Sequence, residues 1–300
     1  SDSAERVEVV LAGASGLIGS ALRDSLRNDG HRVKTLVRRP TSAADEDSWD
    51  PGAGLVDPNF LAGADAVICH SGVGEGDHRW TDSYKKQIIA SRVDSVGTIA
   101  RSLAQYGGPR VFIAASAVGY YGDTGDAPVD EQTPAGGSFL SEVCVQWEAA
   151  ADPARAAGVR VTHLRTGLVL AKDGGLVKRL TPIVKAGIAG KLGTGRQFMP
   201  WISLTDEVGA IRFLLEHDVP GPVNLTGPAP VRNAEFTTAL GQVLHRPTVL
   251  PVPGFAAKIA LGEFAEDVLT GQNAVPKRLL DAGFTFTHRD LDTALRAELG

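Results

Sequence analysis

Apolar runs and helical periodicity alternate from the beginning of the chain. Residues 7–11 are mostly apolar, and residues 32–37 mix polar side chains with Val33, Leu36 and Val37; both stretches are typical of strands. The apolar positions from Ser20 to Asn28 recur instead with helical spacing. Asp29 and Gly30 follow this helical stretch and are typical of a helix end. The pattern predicts a strand, a helix and a second strand at the start of the chain.

The same alternation continues to residue 165. We predict strands over Ala64–Cys69, Arg110–Ala114 and Arg160–Arg165, and helices over Trp80–Tyr106 and Phe139–Ala157. This order favours right-handed crossovers and a parallel sheet that helices cover on both faces. The predicted fold is therefore α/β, a doubly wound parallel sheet of the Rossmann type, with ligands at the carboxyl ends of its strands.

The pattern changes beyond Gly167. Glycine and proline are dense from Lys172 to Pro200, and short apolar segments then alternate with proline-marked loops. Helical patterns return at Gly254–Leu269, Pro276–Ala282 and Leu291–Leu299. We predict an NADP-binding Rossmann domain over residues 1–170, which later strands can rejoin, and a smaller α+β lobe over 171–300 that faces the substrate.

A glycine-rich turn joins the first strand to the first helix. Gly13, Gly16 and Gly19 have the spacing G-x-x-G-x-x-G. Gly13 would turn the chain, Gly16 would let a pyrophosphate approach the backbone, and Gly19 would pack the helix on the strand. The backbone amides at the helix start would then face the phosphates. The predicted cofactor-binding residues therefore also include Ser15, Leu17 and Ile18. The alternative is a tight turn that binds nothing.

Two arginines end the second strand. NAD-specific Rossmann proteins usually have an acidic residue at this point, which binds the ribose hydroxyls. Arg38 and Arg39 stand there instead, and arginine pairs bidentately with phosphate. The sequence therefore predicts NADP as the cofactor, through its 2′-phosphate. The alternative is a solvated basic turn.

The amino-acid composition limits the kinds of partner that this protein is expected to bind. The chain has 300 residues, of which 43% are hydrophobic, enough for a large core, and its net charge of −5 indicates no nucleic-acid partner. Two cysteines provide neither a disulfide framework nor a CxxC metal site, so we expect a cytoplasmic protein without a metal. No apolar run approaches the roughly 18 residues of a membrane span. A small-molecule substrate is the expected partner, and a homodimer stays open.

Several segments resemble the atypical, epimerase-like branch of the extended short-chain dehydrogenase/reductases, the nucleotide-sugar epimerase family with its own C-terminal region. The glycine spacing is similar, and so is the strand-end Ser-x-x-x-Tyr-Gly at Ser116 to Gly122. Further similarity lies at Trp49-Asp50-Pro51, Ser91-Arg92-Val93, Trp147-Glu148-Ala149-Ala150, Gly195-Arg196-Gln197 and Trp201-Ile202. The resemblance implies NADP binding through the glycine turn, Arg38 and Arg39, together with His70, Ser71, Gly72 and Arg92.

The family's proton-transfer pair is missing. Its members carry Tyr-x-x-x-Lys at the start of the helix after the strand-end serine. If Glu148 is aligned with the acid that follows the lysine, Leu140 and Cys144 stand at the two positions. Leucine exchanges no proton, and a neutral thiol does not lower the pKa of a tyrosine as an ammonium does. The hydroxyl groups near the strand end are the substitutes, and the predicted catalytic residues are Ser116, Tyr120 and Tyr121.

Other residues offer further substitutes. His70 at a strand end could act as an acid or base, or form a wall beside the cofactor. Lys85, Lys86 and Arg92 could reach the same crevice. Each of these residues has a structural alternative.

A polar substrate would meet residues of the later segments. Arg165 ends a strand, Arg196 can pair with an anion and Trp201 can stack on a ring. With Gln197 they are the predicted substrate-binding residues. The alternative is a glycine-rich connection that docks on the first domain.

Two functions stay open. The first is an NADP-dependent oxidoreductase or epimerase acting on a small polar substrate, with a nucleotide sugar as the family's example. The second is a catalytically silent NADP(H)-binding redox sensor or scaffold, which the loss of Tyr-x-x-x-Lys favours. A structural dimerisation module fits poorly, because the glycine turn and the paired arginines would have no purpose.

Overall fold

The computed structural model describes residues 5–71, 81–262 and 264–300. Its strands follow in chain order: β1 (Glu8–Ala12), β2 (Arg32–Val37), β3 (Glu46–Ser48), β4 (Ala66–Cys69), β5 (Val111–Ala117), β6 (Pro128–Val129), β7 (Arg160–Thr166), β8 (Leu168–Leu170), β9 (Phe198–Met199), β10 (Trp201–Ser203), β11 (Gly221–Leu225), β12 (Val231–Arg232) and β13 (Asn273–Ala274).

The helices are named in the same way. They are α1 (Leu17–Asn28), α2 (Pro58–Ala62), α3 (Asp82–Tyr106), α4 (Phe139–Ala149), α5 (Asp152–Ala156), α6 (Gly175–Lys185), α7 (Leu204–Glu216), α8 (Asn233–Leu244), α9 (Gly254–Leu261), α10 (Phe264–Leu269), α11 (Lys277–Asp281) and α12 (Leu291–Leu299). Short 3₁₀ turns cover Pro51–Ala53 and Val118–Tyr121.

A parallel sheet forms the centre of the molecule. Among the described residues it has seven strands in the order β11-β7-β5-β4-β1-β2-β3. Every pairing is parallel, and β1 lies between β2 and β4. The chain therefore winds away from the middle in both directions. This confirms the predicted doubly wound α/β fold, and it brings the carboxyl ends of β1, β4, β5 and β7 to one edge.

Alternate side chains of the sheet enter two separate cores. Val10 and Phe112 pack on one face with Ile99 of α3. Leu11 and Ile113 point to the opposite face, where α1 and α7 cover them. Because both faces are covered, the central strands β1, β4 and β5 are apolar almost throughout, which is why the sequence pattern locates them.

The long predicted helices are interrupted. The stretch 139–157 forms α4 and α5 instead of one helix, since Pro153 has no N–H to continue the helical hydrogen bonds. The stretch 254–269 divides into α9 and α10 around Gly262, whose φ is +59°. β3 was not predicted, because a three-residue strand carries too little periodicity.

Part of the chain beyond residue 170 returns to the central sheet. β11 pairs with β7 at the sheet edge, and α7 packs on α1. Helices α6, α8, α9, α10 and α12 build a separate core around Met199, Phe236 and Leu240. The division into domains over residues 1–170 and 171–300 stays a prediction. Because β11 belongs to the central sheet, not all residues after 170 lie outside the first domain.

Two kinds of feature are absent from the described residues. No helix in these ranges combines the length and the apolar character needed to cross a bilayer. No group of His, Cys, Asp and Glu side chains in the same ranges is arranged to bind a metal ion. Cys69 and Cys144 are buried free thiols, and burial raises the pKa of the Cys69 thiol to about 11.

Candidate functional site

The three glycines of the turn meet different surroundings. Gly13 has φ +93°, and a Cβ there would lie 2.2 Å from the carbonyl oxygen of His70. A Cβ on Gly19 would lie 2.0 Å from the carbonyl oxygen of Gly13. At Gly16 the nearest atom would be 3.7 Å away. Gly13 and Gly19 are therefore required by packing within the chain, whereas Gly16 faces open space.

Helix α1 begins at this turn without a side-chain cap. Gly16 is the N-cap residue, its backbone is extended, and the first turn of the helix contains no acidic residue. Among the described residues, no side chain caps the start of α1, and no acidic residue of its first turn opposes an anion there. Free amides and the helix dipole together favour a phosphate at this position.

A cleft of about 640 Å³ runs from the glycine turn to the end of β2. Most of the predicted cofactor residues line it. The lining consists of Gly13, Ala14, Ser15, Gly16, Arg23, Thr35, Leu36, Val37, Arg38, Arg39, Glu46, Trp49, His70 and Ser71. Gly72, also predicted, lies outside the described residues.

The two arginines of the cleft have unlike partners. Nη2 of Arg38 donates to Oγ of Ser95 at 3.1 Å. Arg39 donates twice to the carboxylate of Glu46, with N–O distances of 2.6 and 3.3 Å. Both arginines line the cleft at the end of β2, where the sequence predicts binding of the 2′-phosphate. Arg39 already has an acidic partner in Glu46.

Arg92 lies deeper in the protein. Its guanidinium is 4.9 Å from the ring centroid of Trp147, and Nη1 donates to the carbonyl oxygen of Ile88. Its charge acts on His70. A direct contact with the cofactor stays a prediction for Arg92.

His70 forms part of the cleft wall. Burial first, and then the charge of Arg92, lowers the pKa of its imidazole to about 4. The ring is therefore neutral at physiological pH and holds no proton to donate as an imidazolium. His70 lines the cleft, which agrees with a wall beside the cofactor, and the lowered pKa disfavours the alternative that it donates a proton. A role as a base stays a prediction.

Ser116 is part of a buried polar network at the end of β5. Its hydroxyl donates to Oε2 of Glu148 at 2.7 Å. Arg165, opposite Ser116 in the sheet, donates to both oxygens of Glu148 at 2.9 and 3.0 Å. Since the side chain of Arg165 is only 4% exposed, this ion pair lies in the interior. Arg165 therefore positions Glu148. Because the side chain of Arg165 is buried, the structure gives no support for its predicted contact with substrate.

The two tyrosines after Ser116 differ sharply. The hydroxyl of Tyr121 donates to Oδ1 of Asn224 at 2.7 Å and accepts from Nη1 of Arg165 at 3.1 Å. Burial raises the pKa of Tyr121 to about 12. The expectation that Tyr121 moves a proton is therefore corrected: its hydroxyl is occupied, and its ionised form is disfavoured.

Tyr120 keeps its hydroxyl available. Its ring is half-buried and lies against the guanidinium of Arg165, with 3.5 Å from Cζ to the ring centroid. Within the described part of the chain, the phenol makes no hydrogen bond. Of the three predicted hydroxyls, Tyr120 is thus the one best placed to exchange a proton.

The two positions at which the sequence resemblance predicts replacement of the tyrosine and lysine hold packing residues. Leu140 and Cys144 on α4 are both buried. A Cβ on Gly119 would lie 3.1 Å from Cβ of Leu140, and the Cys144 thiol donates to the carbonyl oxygen of Ala117 at 3.6 Å. Helix α4 thus packs directly on the strand end with apolar or neutral groups.

Two of the predicted substrate residues have structural roles. Trp201 is fully buried, and its indole N–H donates to the carbonyl oxygen of Ala229 at 2.9 Å. The amide of Gln197 donates to the carbonyl oxygens of Leu192 and Val268. Trp201 has no exposed surface to offer a ring, which corrects that expectation. Gln197 is half-buried with its amide nitrogen bonded within the chain, and its contact with substrate stays a prediction. Arg196 is exposed, and its role in substrate binding stays a prediction.

Sequence reasoning missed two residues of these sites. Glu46 belongs to the short strand β3 and carries no motif. Glu148 was noticed only as part of a family segment, although it joins Ser116 to Arg165. Glu46 stands seven positions after Arg39 in the chain. Only the fold shows that its carboxylate lies beside Arg39 in the cleft, so the sequence alone does not mark it as a site residue.

A nucleotide-binding sheet with a glycine turn and a polar strand end defines the class of protein, and the comparisons give its family. The chain belongs to the NAD dependent epimerase/dehydratase family, whose model matches residues 9–226. Residues 252–298 match a domain of unknown function, DUF1731. This confirms the resemblance to the epimerase-like branch.

The relatives cover nearly the whole chain. The epimerase family protein ML0860 of Mycobacterium leprae is 45% identical over 98% of this chain and 96% of its own. The human epimerase family protein SDR39U1 is 31% identical over 97% of this chain and 99% of its own.

Solved structures agree with the sequence relatives. Human SDR39U1, crystallised with NADPH, superposes with a TM-score of 0.87 at 29% identity, covering 97% of this chain and 99% of that one. A nucleoside-diphosphate sugar epimerase from Corynebacterium glutamicum gives 0.82 at 32% identity, covering 99% of this chain and 59% of that one. MoeE5, solved with UDP-glucose and NAD, gives 0.75 at 18% identity over 97% of each chain and shows the fold alone.

Proposed function

We propose that this protein binds NADP(H) in the cleft between the glycine turn and β2 and uses it as an oxidoreductase or epimerase. The observation that carries the proposal is the pairing of two features at opposite ends of one cleft. Gly16 and the uncapped start of α1 offer amides to a pyrophosphate, and Arg38 offers a guanidinium to a 2′-phosphate. The NADPH in the human relative agrees with the cofactor predicted from the sequence.

The residues present fit the cofactor. A Cβ at Gly16 would project into the open cleft, which is the reason a glycine suits a phosphate approach there. The chemistry that NADP(H) supplies when bound is hydride transfer at its nicotinamide. The chain must then orient a substrate oxygen and move its proton.

Ser116 and Tyr120 suit these two tasks. Ser116 ends β5, and Glu148 fixes the direction of its hydroxyl. Because its one hydrogen is given to Glu148, the Ser116 oxygen can accept a hydrogen bond from a substrate hydroxyl and so orient it. The unengaged phenol of Tyr120 lies beside the same network and is the proposed proton donor and acceptor.

The substrate that we propose is a small polar alcohol or carbonyl compound, and sugar nucleotides are the first candidates. UDP-glucuronic acid 4-epimerase of Bacillus cereus, whose fold is similar at 14% identity, was solved with UDP-glucuronic acid and NAD. Location in the cytoplasm agrees with the two buried free thiols. A homodimer stays a proposal.

A second function is favoured by one specific observation. Leu140 and Cys144 fill the places of the usual proton-transfer pair, so the protein could bind NADP(H) and transfer no hydride. The cleft would then report the redox state of the cofactor to a partner, as a sensor or scaffold.

NADPH-linked turnover of a panel of sugar nucleotides, aldehydes and ketones separates the two functions. Once turnover is found, we expect Ser116→Ala or Tyr120→Phe to lower kcat by about 10² to 10⁴, as removal of an oriented proton donor does. Tyr121→Phe is the matched control, because its hydroxyl serves Asn224. Tight NADPH binding without turnover of any compound would favour the sensor, and full activity of both variants would refute the proposed chemistry.

A further inference from the structure

The cleft contains an acid directly beside the predicted phosphate ligands. Glu46 on β3 accepts two hydrogen bonds from Arg39, at 2.6 and 3.3 Å, and a third from the hydroxyl of Thr41 at 2.8 Å. The side chain of Arg39 is 61% exposed, whereas that of Glu46 is 21% exposed. Glu46 is thus held firmly at the cleft wall, and Arg39 reaches over it into solvent.

Glu46 is ionised at neutral pH. The hydrogen bonds from Arg39 and then from Thr41 hold the pKa of its carboxyl below the usual value. The pair formed by Arg39 and Glu46 therefore has no net charge.

Arg38 is in a different electrostatic state. Its hydrogen bond goes to a neutral hydroxyl on Ser95, and no carboxylate of the described residues forms an ion pair with it. Arg38 can therefore offer a full positive charge to an anion, whereas Arg39 must divide its donors between the anion and Glu46. The two adjacent arginines are not equivalent ligands.

A 2′-phosphate and a 2′-hydroxyl would experience Glu46 in opposite ways. A phosphate monoester carries roughly two negative charges, which an adjacent carboxylate repels. A ribose hydroxyl can donate to a carboxylate, as it does to the acid of NAD-specific Rossmann proteins. The same residue would weaken NADP(H) and strengthen NAD(H).

We propose that Glu46 is a specificity-determining residue, which limits the preference of the cleft for NADP(H) and lets it accept NAD(H) as well. This inference rests on the proposed cofactor function. Arg38 selects for the 2′-phosphate, Glu46 selects against it, and Arg39 moves between the carboxylate and the phosphate.

The test compares dissociation constants of NADPH and NADH for the full chain and for Glu46→Gln, by fluorescence titration. Glutamine keeps the shape of the side chain and removes its charge. We expect NADPH to bind about five- to tenfold more tightly and NADH about two- to fivefold more weakly. The gain for NADPH should shrink in 0.5 M salt, because the repulsion that it removes is screened.

Asp45→Asn provides the matched control. Asp45 precedes Glu46, pairs with Arg27 at 3.1 Å and does not line the cleft. The control loses the same charge, so a change in NADPH affinity confined to Glu46→Gln assigns the effect to the carboxylate in the cleft. An equal gain in both variants would overturn the proposal in favour of a general effect of net charge.

A double-mutant cycle guards against a purely structural effect. In an Arg39→Gln protein, Glu46 repels the phosphate without a cationic partner, so adding Glu46→Gln should recover at least fivefold of the lost NADPH affinity. If Glu46→Gln instead weakens NADPH as much as Arg39→Gln does, Glu46 only positions Arg39 and the proposal is wrong. If the unmodified chain binds neither nucleotide, the cofactor function itself fails, and the inference fails with it.

Discussion

Single residues of the glycine turn divide between folding and binding. Gly13 and Gly19 sit where any Cβ would meet backbone atoms, whereas Gly16 borders the open cleft with an ordinary φ of −78°. The three glycines of the motif therefore differ in their surroundings: two are required by close backbone packing, and the third is not. Among the described residues, no packing contact requires the middle glycine, which is the reason we propose a role in cofactor binding for it.

Gly16→Val should therefore abolish NADPH binding and leave the fold intact. The valine side chain would occupy the phosphate path, while its backbone conformation is one that all residues adopt. Circular dichroism and calorimetric titration measure the two properties. Gly19→Ala serves as the contrast and should lose about 1–3 kcal/mol of stability, because its Cβ would overlap the carbonyl of Gly13. Unchanged NADPH affinity in Gly16→Val would mean that the turn is structural only.

Glu207 is another residue whose environment has a measurable consequence. It is fully buried on α7, where Thr166 donates to Oε1 at 2.6 Å and Oε2 has no hydrogen-bond partner among the described residues. Burial raises the pKa of this carboxyl to about 8. The folded protein therefore holds a proton on Glu207 at neutral pH, whereas the unfolded chain, with an ordinary value near 4.5, releases it.

Stability should fall as pH rises from about 4.5 to about 8, because the unfolded state binds fewer protons over this interval. Glu207→Gln keeps the oxygen that Thr166 bonds and has no proton to lose. We expect the variant to gain up to a few kcal/mol over the unmodified protein at pH 8 relative to pH 4.5. Urea unfolding at a series of pH values checks this, and a stability difference that does not vary with pH would contradict it.

At the scale of elements, the polar network joins a strand to a helix. Glu148 on α4 lies between Ser116 on β5 and Arg165 on β7. These residues are 32 and 17 positions from Glu148 in the chain. No local pattern brings them together, so the network that orients Ser116 was beyond sequence reasoning.

Breaking this buried pair from one side should be costly. Glu148→Gln leaves the guanidinium of Arg165 without its counter-charge, and we expect a loss of about 3–5 kcal/mol in urea unfolding. The double variant Glu148→Gln with Arg165→Met removes the stranded charge and should recover part of that loss. If the double variant is as unstable as the sum of the two single variants, the pair does not act as a unit.

Elements with strong apolar periodicity were predictable, and short ones were not. The bounds predicted for β2 agree with the structure, since six consecutive residues alternate or lie buried within the sheet. β3 has three residues and two of its side chains are polar acids, so it gave no signal. Its absence from the prediction hid Glu46, which is the acid that now distinguishes Arg39 from Arg38.

At the scale of the whole molecule, the glycine turn and the arginines were predictable because each depends on a few neighbouring residues. Trp201 was misread for the opposite reason. An aromatic ring beside glycines fits a ligand site and a lobe core equally well, and only the packing of the complete chain places it among Met199 and Phe236. The substrate side of the site depends on such long-range packing, so it was the part least accessible from sequence.

The central claim is that the cleft of this fold binds NADP(H) through its 2′-phosphate, and calorimetric titration of the unmodified protein with NADPH and NADH tests it most directly. We expect NADPH to bind about ten- to a hundredfold more tightly, since hydrogen bonds from arginine to a charged group contribute roughly 1.5–3 kcal/mol. Replacing Arg38 and Arg39 together by alanine should abolish the preference. Equal affinities of the unmodified protein for the two nucleotides would contradict the account.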